Sequence, residues 1–181
     1  VEEGGLADGP LGVGPLAYGP DAPGGGTDAA ALPSVDLAAW HGKPAPPRRW
    51  LVKDWLPIGS PCSLYGDGGG GKTLLALQLQ VCCAIGAPWL GIEAMQCNSV
   101  GLYSEDDEIK LVRRLVGICD ATGADFRDIA GRVSVIPRVG EDNALMTFDR
   151  DGRGKLTPLW EALRRTALMS SARLVVLDTA A

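Results

Sequence analysis

Gly66-Asp67-Gly68-Gly69-Gly70-Gly71-Lys72-Thr73 is the stretch that decides the fold. It satisfies G-x-x-x-x-G-K-[ST], the Walker A phosphate-binding pattern. Each fixed position has a physical reason. Glycines reach backbone conformations closed to residues with a Cβ, so successive N–H groups can turn inward around a phosphate. Lys72 brings a positive charge to the β/γ-phosphates, and the Thr73 hydroxyl is a hard oxygen ligand for Mg²⁺. The helix that follows offers its positive end to the anion.

Working outward, Pro61-Cys62-Ser63-Leu64-Tyr65 is a short apolar run and predicts a buried strand before the loop. Lys72 to Ile85 predicts a helix, closed by Gly86. Strand, glycine loop and helix is the context a phosphate loop requires, whereas a flexible glycine linker would not be flanked in this way. Gly66, Asp67, Gly68, Gly69, Gly70, Gly71, Lys72 and Thr73 are therefore the expected nucleotide-binding residues.

The remaining organisation follows from local pattern. Val1 to Pro47 is rich in Gly, Pro and Ala and predicts a mostly disordered linker. Within it, Val35–Trp40 reads as a short helical turn or docking peptide, and His41, the single histidine, as solvated. Order is expected from Arg48, with residues 48–181 as the folded core. Trp55 to Ser60 reads as a loop packing on the first strand, and Pro88 to Ile92 as a turn. Ser99–Tyr103 and Val133–Ile136 read as strands. Asp107 to Ala121 predicts an amphipathic helix with Ile109, Val112, Leu115, Val116 and Cys119 as its apolar stripe. Met146 to Lys155 reads as a hairpin or loop around Asp151-Gly152. Thr157 caps a helix with Pro158 in its first turn. Arg173–Asp178 is a nearly all-apolar strand of the kind found in parallel sheets covered on both faces. Alternating strands and helices predict an α/β doubly wound sheet.

Composition narrows the function classes. The 181 residues carry a formal charge of −5, which argues against nucleic-acid binding by bulk charge, though not against a local basic groove. The five cysteines show no C-x-x-C spacing and read as reduced core thiols of a cytosolic protein rather than a disulfide frame or zinc site. No apolar run approaches the ~20 residues of a membrane span, and no basic-then-apolar signal opens the chain. The first residue is Val1 and the last, Ala181, follows directly on a strand, so a fragment is expected, at least at the C-terminal end.

Two carboxylates complete the expected site. Asp178 ends an apolar strand, as a Walker B acid does, and would hold Mg²⁺ through its water shell; the plainer role is a loop cap at an ordinary strand end. Glu105 follows the Ser99–Tyr103 strand by two positions and is placed to orient or deprotonate the water that attacks the γ-phosphate. Asp106 is the alternative, and Asp106, Asp107 and Glu108 also suit the first turn of a helix. Arg113 and Arg114 read first as solvated or bridging to acids, and only then as facing a phosphate, a neighbouring subunit or DNA. The charged loop of Asp149, Arg150, Asp151, Arg153 and Lys155 reads as a solvated hairpin tip before it reads as a polymer contact.

GDGGGGKTLLALQLQ, GLYSEDDEIKLVRRL and RLVVLDTAA together resemble RecA-like P-loop ATPases of the RepA-type replicative helicase branch and related phage and bacterial AAA family ATPases. The leader RRWLVKDWLPIGSPCSLYGDGG is similar to theirs, so the resemblance spans Arg48 to Ala181. It implies a RecA-like, mostly parallel sheet with helices on both faces, ATP and Mg²⁺ as ligands, and a cytoplasmic protein. It implies that Lys72 and Thr73 bind phosphate and metal, Glu105 activates water and Asp178 is the Walker B acid. Hexameric rings with ATP between subunits and single-stranded DNA in the centre also follow from it. The activity expected is Mg-dependent ATP hydrolysis driving DNA translocation or unwinding in plasmid- or phage-type replication. The alternatives are a recombination or repair ATPase that does not unwind, or a regulatory ATP switch that does not act on DNA.

Overall fold

The protein's structure, a computed structural model, describes residues 32–178. The chain divides into two compact units, Val1–Ala45 and Pro46–Ala181. Within the first, the described residues form a single 3-10 turn, Ala38–Trp40, started by Asp36, whose carboxylate accepts from the Ala38 and Ala39 amides. This is the expected helical turn, and His41 beside it is exposed. Most of the expected linker, residues 1–31, lies outside the described residues, as do the last three positions.

The second unit opens with a two-stranded antiparallel ribbon, β1 (Trp50–Val52) and β2 (Leu56–Pro57). Helix α1 (Lys72–Ile85) follows the glycine loop and stops at Gly86, in the left-handed conformation a terminating glycine favours. Strand β3 (Asn98–Tyr103) leads to α2 (Glu108–Thr122), the short α3 (Phe126–Ile129) and β4 (Val133–Pro137). A hairpin of β5 (Met146–Phe148) and β6 (Gly154–Leu156) stands apart from the main sheet. Helix α4 (Pro158–Met169), with Thr157 accepting from the Trp160 amide, precedes β7 (Ala172–Asp178).

The main sheet has the order β4-β3-β7, and both pairings are parallel. Side chains of β3 alternate between its faces. Tyr103 points into a core with Leu77 and Val81 of α1 and Leu111, Leu115 and Ile118 of α2. Val100 and Leu102 point the other way, onto Leu163 of α4. Helices thus cover both faces of a parallel sheet, the α/β arrangement of a P-loop NTPase. Helix α1 is apolar nearly all round and is buried to match. Its second face, with Leu79, Cys82 and Cys83, packs on Leu51, Val52, Trp89, Ala94 and Cys97. Cys83 and Cys97 hydrogen-bond side chain to side chain; this and burial push the Cys83 thiol up, while Cys97 as its partner is held down.

Three expectations need correction. Pro61–Tyr65 is not a strand: it is exposed and pairs with none of the described strands. A strand exists only where a neighbour takes its N–H and C=O groups, and apolar composition does not supply one. The buried stripe of α2 is Leu111, Leu115, Ile118 and Cys119. Ile109, Val112 and Val116 of the expected stripe are exposed, because two apolar stripes share this helix and only one meets the core. Strand β7 is parallel as expected, yet Val175 and Leu177 are 45% and 39% exposed, and the apolar cluster under α4 takes in Ala172 but neither of them.

Candidate active site

The phosphate loop is built by its glycines. Gly69 and Gly71 adopt φ of 77° and 82°, the left-handed region where a Cβ is strained. Gly70 turns back so that its amide donates to the Asp67 carbonyl at 3.2 Å. Gly71 is the N-cap of α1 and offers no side-chain acceptor, unlike Asp107, Asp125 and Thr157, which cap α2, α3 and α4. The first-turn amides of α1 therefore have no intrahelical or capping acceptor, which suits an anion. Lys72 Nζ reaches over the loop and donates to the Gly66 and Asp67 carbonyls at 2.7 and 2.9 Å. Thr73 sits half-buried one residue further into the helix.

Chain direction brings the acids to this end of the molecule. The Cys97 amide donates to the Cys83 carbonyl at 2.9 Å, so the last turn of α1 lies beside the start of β3. Gln80, about one turn earlier, reaches Ser99 and Tyr103. Helix and strand are thus antiparallel, and the N-terminus of α1 points toward the carboxyl end of β3. From Gln80 back to Lys72 is about 12 Å of helix at ~1.5 Å per residue. From Gly101, level with Gln80, on to Glu105 is about 13 Å of extended chain at ~3.3 Å per residue. The glycine loop and Glu105 therefore lie at the same end of the sheet.

Asp178 joins them there. The parallel register pairs Tyr103 with Asp178, and the Ser104 amide donates to the Asp178 carbonyl at 2.6 Å. Glu105 is exposed at the tip, one residue beyond. Asp106 is instead buried and ion-paired with Arg114. Asp107 accepts from the Lys110 amide at 2.8 Å as the α2 cap, and Glu108 opens the helix. Arg113 is exposed. The charged loop is the tip of the β5–β6 hairpin, held by Asp149, whose carboxylate accepts from the Asp151 and Arg153 amides.

Two neighbours of this site carry no motif. The Ser104 hydroxyl, on the residue that precedes Glu105 and whose amide donates to the Asp178 carbonyl, is buried with no hydrogen-bond partner among the described residues. A buried polar atom without a partner is uncommon, and here it belongs to the residue between β3 and Glu105. Serine among four acids gives no spacing signal, so only the fold reveals it. The Tyr103 phenol is fully buried; burial, and then the Asp178 carboxylate, push its ionisation up. Its partner Gln80 lies in the same helix as Gln78, and nothing in the sequence separates the two; only the fold shows which one is buried.

The parts needed for a nucleoside triphosphate and a divalent cation fit: an uncapped helix N-terminus, a lysine over it, a helix hydroxyl, and carboxylates at the adjacent strand ends. No helix among the described residues is long and apolar enough to cross a membrane. No curated protein matches the chain. The family model AAA_25, described as an AAA domain, matches residues 27–181, most of the sequence. The chain belongs to this family of AAA-type, nucleotide-binding P-loop ATPase domains.

Proposed function

We propose that this chain is the Mg-dependent ATPase module of a RepA-type replicative helicase, coupling ATP hydrolysis to DNA translocation or unwinding in plasmid- or phage-type replication. The observation that carries the reading is the convergence of the phosphate loop, Glu105 and Asp178 at the carboxyl end of one parallel sheet. Residues 48–181 form the ATPase core in this reading, and 1–47 a linker to it. The module acts in the cytoplasm as a homo-oligomeric ring around single-stranded DNA.

The chemistry assigned to each residue follows from its place. The loop amides and the first-turn amides of α1 bind the phosphates. Lys72 exchanges its loop carbonyl partners for phosphate oxygens and neutralises charge as it develops. The Thr73 hydroxyl and Asp178 carboxylate are the groups that would hold Mg²⁺, which when bound supplies charge neutralisation across the phosphate oxygens. Glu105 orients water in line with the γ-phosphate and accepts its proton. Asp106, neutralised by Arg114, is a structural group.

The formal charge of −5 favours one second reading, a regulatory ATP switch that does not touch DNA. Mg-ATP hydrolysis measured with and without single-stranded DNA separates the two. DNA stimulation is the expected result, and a forked-duplex assay then distinguishes unwinding from a recombination or repair role. Hydrolysis indifferent to DNA would overturn the helicase reading in favour of the switch.

A further inference from the structure

We propose that Gln80, Ser99, Gly101 and Tyr103 form a buried brace that positions Glu105 and Asp178 relative to the phosphate loop, with Tyr103 and Gln80 as positioning residues. The proposal rests on the reading of Glu105 as the water-orienting group. Gln80 is fully buried on α1, two turns from Lys72. Its amide nitrogen donates to Ser99 Oγ at 3.1 Å, near the start of β3. Its amide oxygen accepts from the Tyr103 hydroxyl, at the end of the same strand. One side chain of the loop's helix therefore fastens both ends of the strand that leads to Glu105.

Gly101 makes this closure possible. Ser99, Gly101 and Tyr103 share one face of β3. The phenol folds back along the strand across Gly101. A Cβ there would lie 2.5 Å from Tyr103 Cε2 and 2.8 Å from Gln80 Oε1. Neither φ nor a turn demands glycine at this position; the close approach of the ring does. Tyr103 is also the residue paired with Asp178 across the sheet, and its carbonyl accepts from the Arg138 amide at 2.8 Å. Any shift of its side chain is thus passed to Asp178, to Ser104 and to Glu105. A buried, hydrogen-bonded polar cluster is costly to distort, so it fixes the spacing of the elements it joins. An apolar contact slides more readily.

The test separates positioning from simple packing. Tyr103→Phe keeps the ring and removes only the hydroxyl. Gln80→Leu/Ser99→Ala/Tyr103→Phe removes every polar member, leaving no orphaned partner. Ile129→Ala, in the same core but remote from the site, serves as the destabilised control. Turnover and ATP affinity are measured on each protein at a temperature where circular dichroism reports it folded. The brace predicts kcat lower by on the order of 10- to 100-fold in both brace variants, with ATP affinity within about twofold of wild type. Ile129→Ala keeps its turnover. Wild-type kcat in both brace variants overturns the proposal. Glu105→Gln, assayed alongside, tests the reading beneath it: if Glu105→Gln is inactive while the brace variants are fully active, the brace alone fails. If Glu105→Gln turns over normally, the role given to Glu105 fails.

Discussion

Glu105, Asp106, Asp107 and Glu108 are four consecutive acids, and the fold gives them different work. Asp106 is spent on Arg114, Asp107 on the helix cap, and Glu108 opens α2 in the first turn, where the dipole favours it. Glu105 stands at the strand tip beside Ser104 and Asp178. Asp106→Asn should therefore leave turnover within a few-fold of wild type while lowering the melting temperature; a dead but folded Asp106→Asn would reassign the catalytic acid. Lys72→Ala should abolish hydrolysis and weaken nucleotide binding, read by titration with a fluorescent nucleotide. Tyr103 gives a pH prediction. Its ionisation is raised in the fold, so its contribution to stability is complete below the ordinary tyrosine pKa of about 10 and is lost as pH rises beyond it. Melting temperature should fall more steeply above that pH in wild type than in Tyr103→Phe. Parallel curves would show that the phenol is not shielded.

At the scale of elements, the contrast among helix N-termini organises the site. Helices α2, α3 and α4 begin with a side chain that accepts a backbone amide, and α1 begins with Gly71. Asp107→Ala should cost about 1 kcal/mol of stability, and Asp107→Asn almost nothing, in denaturant melts. Neither should change ATP affinity, since that cap faces α2 and not the phosphate loop; a large loss of affinity would place Asp107 in the site. Most elements were legible because their signals are local. Lys72–Ile85 carries an apolar run with a terminating glycine, and Thr157-Pro158 announces α4. Pro61–Tyr65 was misread because strand formation depends on a partner elsewhere in the chain. The α2 stripe was misread because Ile109, Val112 and Val116 have the same helical spacing as the buried set, and only packing chooses between them.

At the scale of the whole second unit, the parallel order β4-β3-β7 puts three strand ends side by side, and the antiparallel run of α1 returns the glycine loop to them. The sequence motifs named the residues of this site; the register of β3 with β7 and the grip of Gln80 show why they meet. Ser104 and the brace were not legible, because nothing in their spacing marks them before the strands are paired. With a net charge of −5, DNA stimulation of hydrolysis should depend on local basic groups and fall steeply as salt rises. Stimulation unchanged between low and high salt would argue against phosphate-backbone contact. The most direct test of the account compares wild type with Glu105→Gln, measuring ATP binding and Mg-ATP hydrolysis on the same preparations. The account predicts equal binding and a loss of turnover on the order of 100-fold or more in the variant. Turnover equal to wild type in Glu105→Gln would contradict it.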